Sequence, residues 1–229
     1  MPCPRTLSQT YGDPMTRGIA IIGGNLRSLS SAHSILDNYP DAELHIMEEA
    51  AEIGLIGEGP GILPHWPITP AHWLSELGSQ EPNPSSGAIR RSWLEKAMAT
   101  SLANRGCTFH LRTRVVAVND GGEVTFVGAG LLGSGELHFD TVLDMRDSTH
   151  TSTEWEGGIC LQGHAPPFGV QGSRPDGTIE VWWRDYNPDQ GKWVHRMSWG
   201  GSDPESSVET DINAGIETAS TLIDTIIQP

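Results

Sequence analysis

The stretch Ile21-Ile22-Gly23-Gly24-Asn25-Leu26-Arg27-Ser28-Leu29-Ser30-Ser31-Ala32 decides how this chain is read. Before it, residues 18–22 form a short apolar run that suits a buried parallel strand. After it, Leu26, Leu29, Ala32, Ile35 and Leu36 recur at helical spacing until Pro40-Asp41 breaks the pattern. Residues 44–47 make a second strand, closed by Glu48-Glu49. Strand, glycine turn, helix and strand in this order form a βαβ unit. Such a turn aims backbone amides and a helix dipole at an anion, and an acid ending the second strand can bind a ribose hydroxyl. Gly23, Gly24, Asn25, Ser28 and Glu48 are therefore expected to hold an ADP-containing dinucleotide. Against G-x-G-x-x-G, Gly23 keeps the first glycine, Asn25 replaces the second and Ser28 the third. Asn tolerates left-handed backbone angles, although its side chain crowds a diphosphate.

Outward from this unit, residues 1–16 are expected to be a loose arm. Residues 54–87 are rich in Gly, Pro and Ser and suggest a long surface excursion. A second helix is predicted from about residue 90 to 104, with Gly106 as its stop. Strands are expected near 108–111, 115–119, 123–127, 136–139 and 141–145. Residues 148–176 are again rich in Gly and Pro. Residues 178–184 and 192–199 are predicted to face each other across a turn, with Trp193, His195, Met197 and Trp199 alternating along the second. A final helix from about 204 to 227 carries Val208, Ile212, Ile216, Ala219, Ile223 and Ile226 as its apolar stripe.

Charge narrows the partners. Fourteen basic residues stand against 29 acidic ones, a formal net charge of −15. That balance argues against nucleic acid and anionic membrane surfaces. Cys3, Cys107 and Cys160 are far apart and odd in number, so neither a metal site nor a disulfide framework is indicated. No apolar run reaches membrane-span length and no signal core is evident, which makes cytoplasm the expected compartment.

Four blocks resemble the FAD-dependent monooxygenases, halogenases and cyclases that share the para-hydroxybenzoate hydroxylase fold. The βαβ unit is the first. Ile56-Gly57-Glu58-Gly59-Pro60-Gly61-Ile62-Leu63-Pro64 is similar to a halogenase loop. Ile89-Arg90-Arg91-Ser92-Trp93-Leu94 is similar to the helix start whose arginine lies near the cofactor, the place of Arg91. Asp211-Ile212-Asn213-Ala214-Gly215-Ile216-Glu217 is similar to the last helix, whose N-terminus addresses the flavin ring. The resemblance covers about residues 18–150 and 205–227. It implies a Rossmann-like α/β fold with a parallel central sheet and a reduced antiparallel β subdomain on the substrate side. The implied organisation is a cofactor domain over 17–150, the β subdomain over 151–203, and a helix over 204–229 returning to the first.

There are departures. Leu143-Asp144-Met145-Arg146-Asp147-Ser148 lacks the family's glycine, leaving Asp144 or Asp147 as the acid. The family's G-D-A block has only Gly163-His164-Ala165 or Gly201-Ser202-Asp203 as candidates, and the halogenase tryptophan motif is absent.

The resemblance implies FAD held by Gly23, Gly24, Asn25, Ser28, Glu48, Arg91, Asp144, Asn213 and Gly215, with Glu58, His164 and His195 as candidate catalytic groups. The leading expectation is a small FAD-dependent oxidoreductase acting on a small apolar or aromatic substrate. NAD(P)H bound transiently, or a separate flavin reductase, would supply electrons, because no second glycine-rich nucleotide motif is present. The alternative is a member of the fold that has shed flavin and acts as a cofactor-free isomerase or cyclase, or as a binding subunit for a partner. Exposed β segments and many tryptophans favour a homodimer.

Overall fold

The computed structural model describes residues 18–55, 59–128, 133–146, 154–185, 192–201 and 203–227. Among these, eleven strands and three α-helices follow one another as β1 (Gly18–Ile22), α1 (Leu26–Asn38), β2 (Glu43–Met47), α2 (Arg91–Asn104), β3 (Thr108–His110), β4 (Thr113–Val118), β5 (Glu123–Gly128), β6 (Ser134–His138), β7 (Thr141–Asp144), β8 (Glu154–Leu161), β9 (Val170–Ser173), β10 (Thr178–Trp183), β11 (Trp193–Gly200) and α3 (Ser207–Ile227). The predicted arm, residues 1–16, lies outside the described residues.

A parallel sheet of order β3-β2-β1-β7 forms the centre. Alternation along β1 divides its faces. Ile19 and Ile21 join Leu26, Leu29, Leu94, Met98, Val208 and Ile212 on the helix side. Ala20 and Ile22 join Val115, Val124 and Phe126 of the β4-β5-β6 meander on the other. The result is helix, sheet and meander in three layers, each hiding one apolar face. α3 packs on α1 through small side chains. A Cβ built on Gly215 would stand 2.3 Å from the Arg27 carbonyl oxygen and 3.0 Å from the Ser31 nitrogen.

The second sheet is antiparallel, of order β11-β8-β10-β9. This corrects the expected hairpin, since β8 lies between β10 and β11. β8 and β9 fall in the Gly/Pro-rich stretch that carried no strand signal. Two glycines make the central strand possible. The Trp182 indole lies 2.6 Å from where a Gly157 Cβ would stand, and the Trp193 indole 2.4 Å from that of Gly158. Each glycine thus lets an indole lie flat on one face of the sheet. The alternation along β11 is also corrected. A bulge between Trp193 and His195 sends Trp193 to the outer face, stacked on Trp183 with centroids 4.9 Å apart. Met197 and Trp199 stay on the inner face with Trp182, Ile62 and Ala88.

Glu180, fully buried on β10, pins the long excursion to this sheet. One carboxylate oxygen accepts from the Gly61 amide (2.7 Å) and the Trp182 indole (2.6 Å). The other accepts from Arg174 Nε (2.9 Å) and Nη2 (2.6 Å). Gly61 has no room for a side chain there, because its Cβ would overlap the Ile89 carbonyl oxygen.

A second polar group ties α1 to α2. His33 is fully buried, stacked on Trp73 at 5.1 Å, with Nε2 donating to the Met98 carbonyl and Nδ1 accepting from Arg105. Asp37 receives Trp73, His72 and Arg105, which outweigh its partial burial and hold its carboxyl below the usual range. Burial lowers the His33 pKa to about 4. His33 is therefore neutral in both folded and unfolded chains above pH ~6.5. Below that, the unfolded chain takes the proton and the folded chain does not until about pH 4, so stability falls as pH falls across this window. The expected loss is about 3 kcal/mol. Urea melts at several pH values should show a slope that is shallower by this amount in His33→Gln; an unchanged slope would refute the assignment. His110, also lowered by burial and by His45, adds to the slope of both proteins equally.

Cys107 and Cys160 are buried, and burial pushes the Cys107 thiol up to about 12, which makes it inert. No helix among the described residues is long and apolar enough to cross a membrane.

Candidate functional site

The β1–α1 turn is built as its sequence demands. Gly23 has φ of +104°, and its missing Cβ lets the Met145 and Arg146 backbone pass at 3.2–3.3 Å. Asn25 takes an extended conformation rather than a left-handed one and is the N-cap of α1. Its Oδ1 accepts from the Ser28 amide at 3.0 Å and the Ser28 hydroxyl at 3.1 Å, while its Nδ2 donates to the Met145 carbonyl. Asn25 and Ser28 thus meet each other at the helix start. At the end of β2, one oxygen of Glu48 accepts from the Ala50 amide at 2.8 Å. Its other oxygen lies 2.9 Å from the place of a Gly24 Cβ.

Gly24, Asn25, Glu48 and Ala50 among these residues line a cavity of about 210 Å³. Gly24, Asn25 and Glu48 form one side; Arg91, Glu95 and Trp199 form the other. Arg91 is buried at the first turn of α2. It pairs with Glu95 at 3.3 Å and closely with Asp211 of α3, and lies under the Trp199 ring at 5.3 Å. Burial alone would lower its pKa, but Glu95 and Asp211 together raise it. Asp211 also reaches Arg27 at 3.5 Å, so one carboxylate links α1, α2 and α3.

The other candidates lie elsewhere. Asp144 is half exposed and pairs with Arg146 at 2.5–2.9 Å, which holds its carboxyl below the usual range. Asn213 is exposed and Gly215 packs on α1. Both stand inside α3, which begins at Ser207, so neither forms its N-terminus. His164 is exposed on the β8–β9 connection, and His195 is exposed on β11 in a different cavity. Glu58 and Asp147 lie outside the described residues. Asp211, Glu95 and Ile53 were not anticipated; only the helical Arg91–Glu95 spacing of four hinted at any of them.

No family model and no curated protein matches the chain. Solved structures do. A geranylgeranyl bacteriochlorophyll reductase-like protein from Thermoplasma acidophilum superposes with a TM-score of 0.64 at 11% identity, over 92% of this chain and 79% of that one. Aklavinone-11 hydroxylase, solved with FAD and aklavinone, superposes with a TM-score of 0.58 at 13% identity, over 94% of this chain. The chain has the fold of the FAD-dependent hydroxylases. A protein studied for oxidation during BE-7585A biosynthesis, BexE, gives 0.58 at 13% identity over 90% of this chain. The chain spans about three-fifths of the length of these last two, 63% and 61%.

The residues of this cleft would suit the adenosine end of an FAD only after two side-chain adjustments. Glu48 and the turn amides fit a ribose and the start of a diphosphate. The space over Gly24 is held by Ile53, whose Cδ1 lies 2.4 Å from the place of a Gly24 Cβ. That atom is the far end of a rotatable side chain, so it can turn away. A phosphate held by Arg91 would compete with Asp211, which Arg27 also reaches at 3.5 Å.

Proposed function

We propose that this chain is a small FAD-dependent oxidoreductase of the hydroxylase type, acting on a small apolar or aromatic substrate. The observation that carries it is the convergence of the Gly23-Gly24-Asn25 turn, the Glu48 carboxylate and the Arg91 guanidinium on one cavity at the C-terminal end of a parallel sheet. Glu48 binds a ribose hydroxyl. The turn amides and the α1 dipole take up diphosphate charge. Arg91 adds a fork of donors matched to phosphate oxygens, and Trp199 over it screens the pair from water. FAD, when bound, supplies the redox chemistry, which no side chain here provides. Electrons come from a transiently bound nicotinamide or a separate reductase.

A second reading is a protein of this fold that has shed flavin. The cavity favours it on charge: Glu48, Glu52 and Glu95 outnumber Arg91 on its walls, which opposes an added diphosphate. Purification followed by an absorbance spectrum and an FAD titration separates the two. A yellow protein, or flavin fluorescence quenched with a micromolar Kd, supports the first. No quenching at FAD concentrations well above micromolar defeats it and leaves the second.

A further inference from the structure

On the face of the parallel sheet that meets the meander, two imidazoles touch. His45 Nδ1 on β2 lies 2.9 Å from His110 Nε2 on β3, and the rings are stacked with centroids 5.2 Å apart. Two nitrogens at that distance share one proton, one ring donating and the other accepting. On its far side, His45 Nε2 faces Glu43 Oε1 at 3.3 Å. We infer that this pair is a pH-sensitive clip that holds Glu48 in place at the cleft and lets it go when both rings carry a proton. The consequence for a bound cofactor rests on the FAD reading above; the clip itself does not.

β3 has three residues and stands at the edge of its sheet, beside β2. From there the chain grips the end of β2 by three backbone bonds. The Glu48 amide donates to the His110 carbonyl at 2.9 Å, the Thr113 amide to the Glu48 carbonyl at 2.8 Å, and the Arg112 amide to the Ala50 carbonyl at 2.9 Å. Arg112 has φ of +52°, a left-handed angle that a residue with a side chain keeps only under such restraint. A first proton preserves the clip, because His45 then donates from both nitrogens, to Glu43 and to His110. A second sets two N–H groups against each other, and the rings part. Burial first, and His45 second, hold the His110 imidazole below the ordinary histidine range. The clip is therefore closed above pH ~6.5 and opens as the pH falls below it. Neighbouring elements turn uncharged groups to the pair: Ala20 of β1 lies beside His45, Phe139 meets it edge-on at 5.0 Å, and the meander presents Val115, Val124 and Phe126. Arg114, Glu136 and His138 of the meander are exposed, Glu123 is bonded to Asn119 at 3.1 Å, and Asp140 accepts from the Gly18 amide at 2.9 Å.

Amide hydrogen exchange of the isotope-labelled, ligand-free chain, corrected for the intrinsic pH dependence of exchange, is the test. Between about pH 7.5 and about pH 4.5 the protection of the Glu48 amide should fall at least ~10-fold in the parent chain. In His45→Asn, whose side chain donates or accepts at the place of Nδ1 without titrating, it should change less than ~2-fold. His110→Gln should give the same result from the other ring, and it stands in if the first variant does not fold. The clip is refuted if Glu48 stays protected in the parent down to about pH 4.5, or if both variants lose protection as the parent does. FAD, added as a probe, should leave the parent over this interval and stay on His45→Asn; release from both alike would overturn the link to the cleft. Absence of FAD binding at every pH defeats the dinucleotide reading alone, because the exchange measurement is made without ligand.

Discussion

Glu180→Gln is expected to lower the unfolding free energy by about 3–5 kcal/mol. The amide can still accept from Gly61 and Trp182, so the loss falls on the other oxygen, where Arg174 holds two bonds. Arg174 is 6% exposed, so water replaces the lost carboxylate only poorly. Removing one member of a buried ion pair leaves an uncompensated charge, which costs far more than the pair itself contributes. A control follows from that logic. Adding Arg174→Met to Glu180→Gln should recover more than half of the loss, because the stranded charge is gone. Urea denaturation of the two variants and the parent checks both statements. A single-variant loss below about 1 kcal/mol would mean that solvent reaches Arg174.

The second large effect concerns the cleft, and it has opposite signs at two residues. Arg91→Met should abolish measurable FAD binding and also destabilise the fold, since Glu95 and Asp211 would face each other without the cation between them. Asp211→Asn should instead tighten FAD binding by roughly tenfold, about 1.4 kcal/mol. The reason is competition. A diphosphate and Asp211 draw on the same guanidinium, so removing one carboxylate's charge frees Arg91 for the ligand and removes a repulsion. Fluorescence titrations of both variants are decisive: if Asp211→Asn weakens binding, Arg91 does not exchange partners and the proposed arrangement of the diphosphate is wrong.

Much of the framework was legible in the residues. The β1–α1–β2 unit declares itself because a continuous apolar run, a glycine turn and a helical period follow in order. The same is true of α2 and α3, whose starts differ from expectation by one and three residues. The antiparallel sheet was not legible. β8 reads as loop because Gly157 and Gly158 belong to no strand propensity; they are there to admit Trp182 and Trp193, and those indoles come from elsewhere in the chain. The bulge in β11 hid a change of face inside a regular alternation. At the cleft, the places of Gly24, Asn25 and Glu48 on one wall followed from a local motif. The Arg91–Asp211–Arg27 link did not, since nothing in spacing brings positions 27, 91 and 211 together before the helices pack.

The stacked pair of Trp183 and Trp193 has an optical consequence. Two indoles 4.9 Å apart with planes inclined by 26° couple their electronic transitions, which should give a paired positive and negative band in ultraviolet circular dichroism. The two residues come from strands separated by a third, so the band pair registers assembly of that sheet rather than local helix or hairpin content. The protein thus carries its own label-free chromophore for following the closure of its β half.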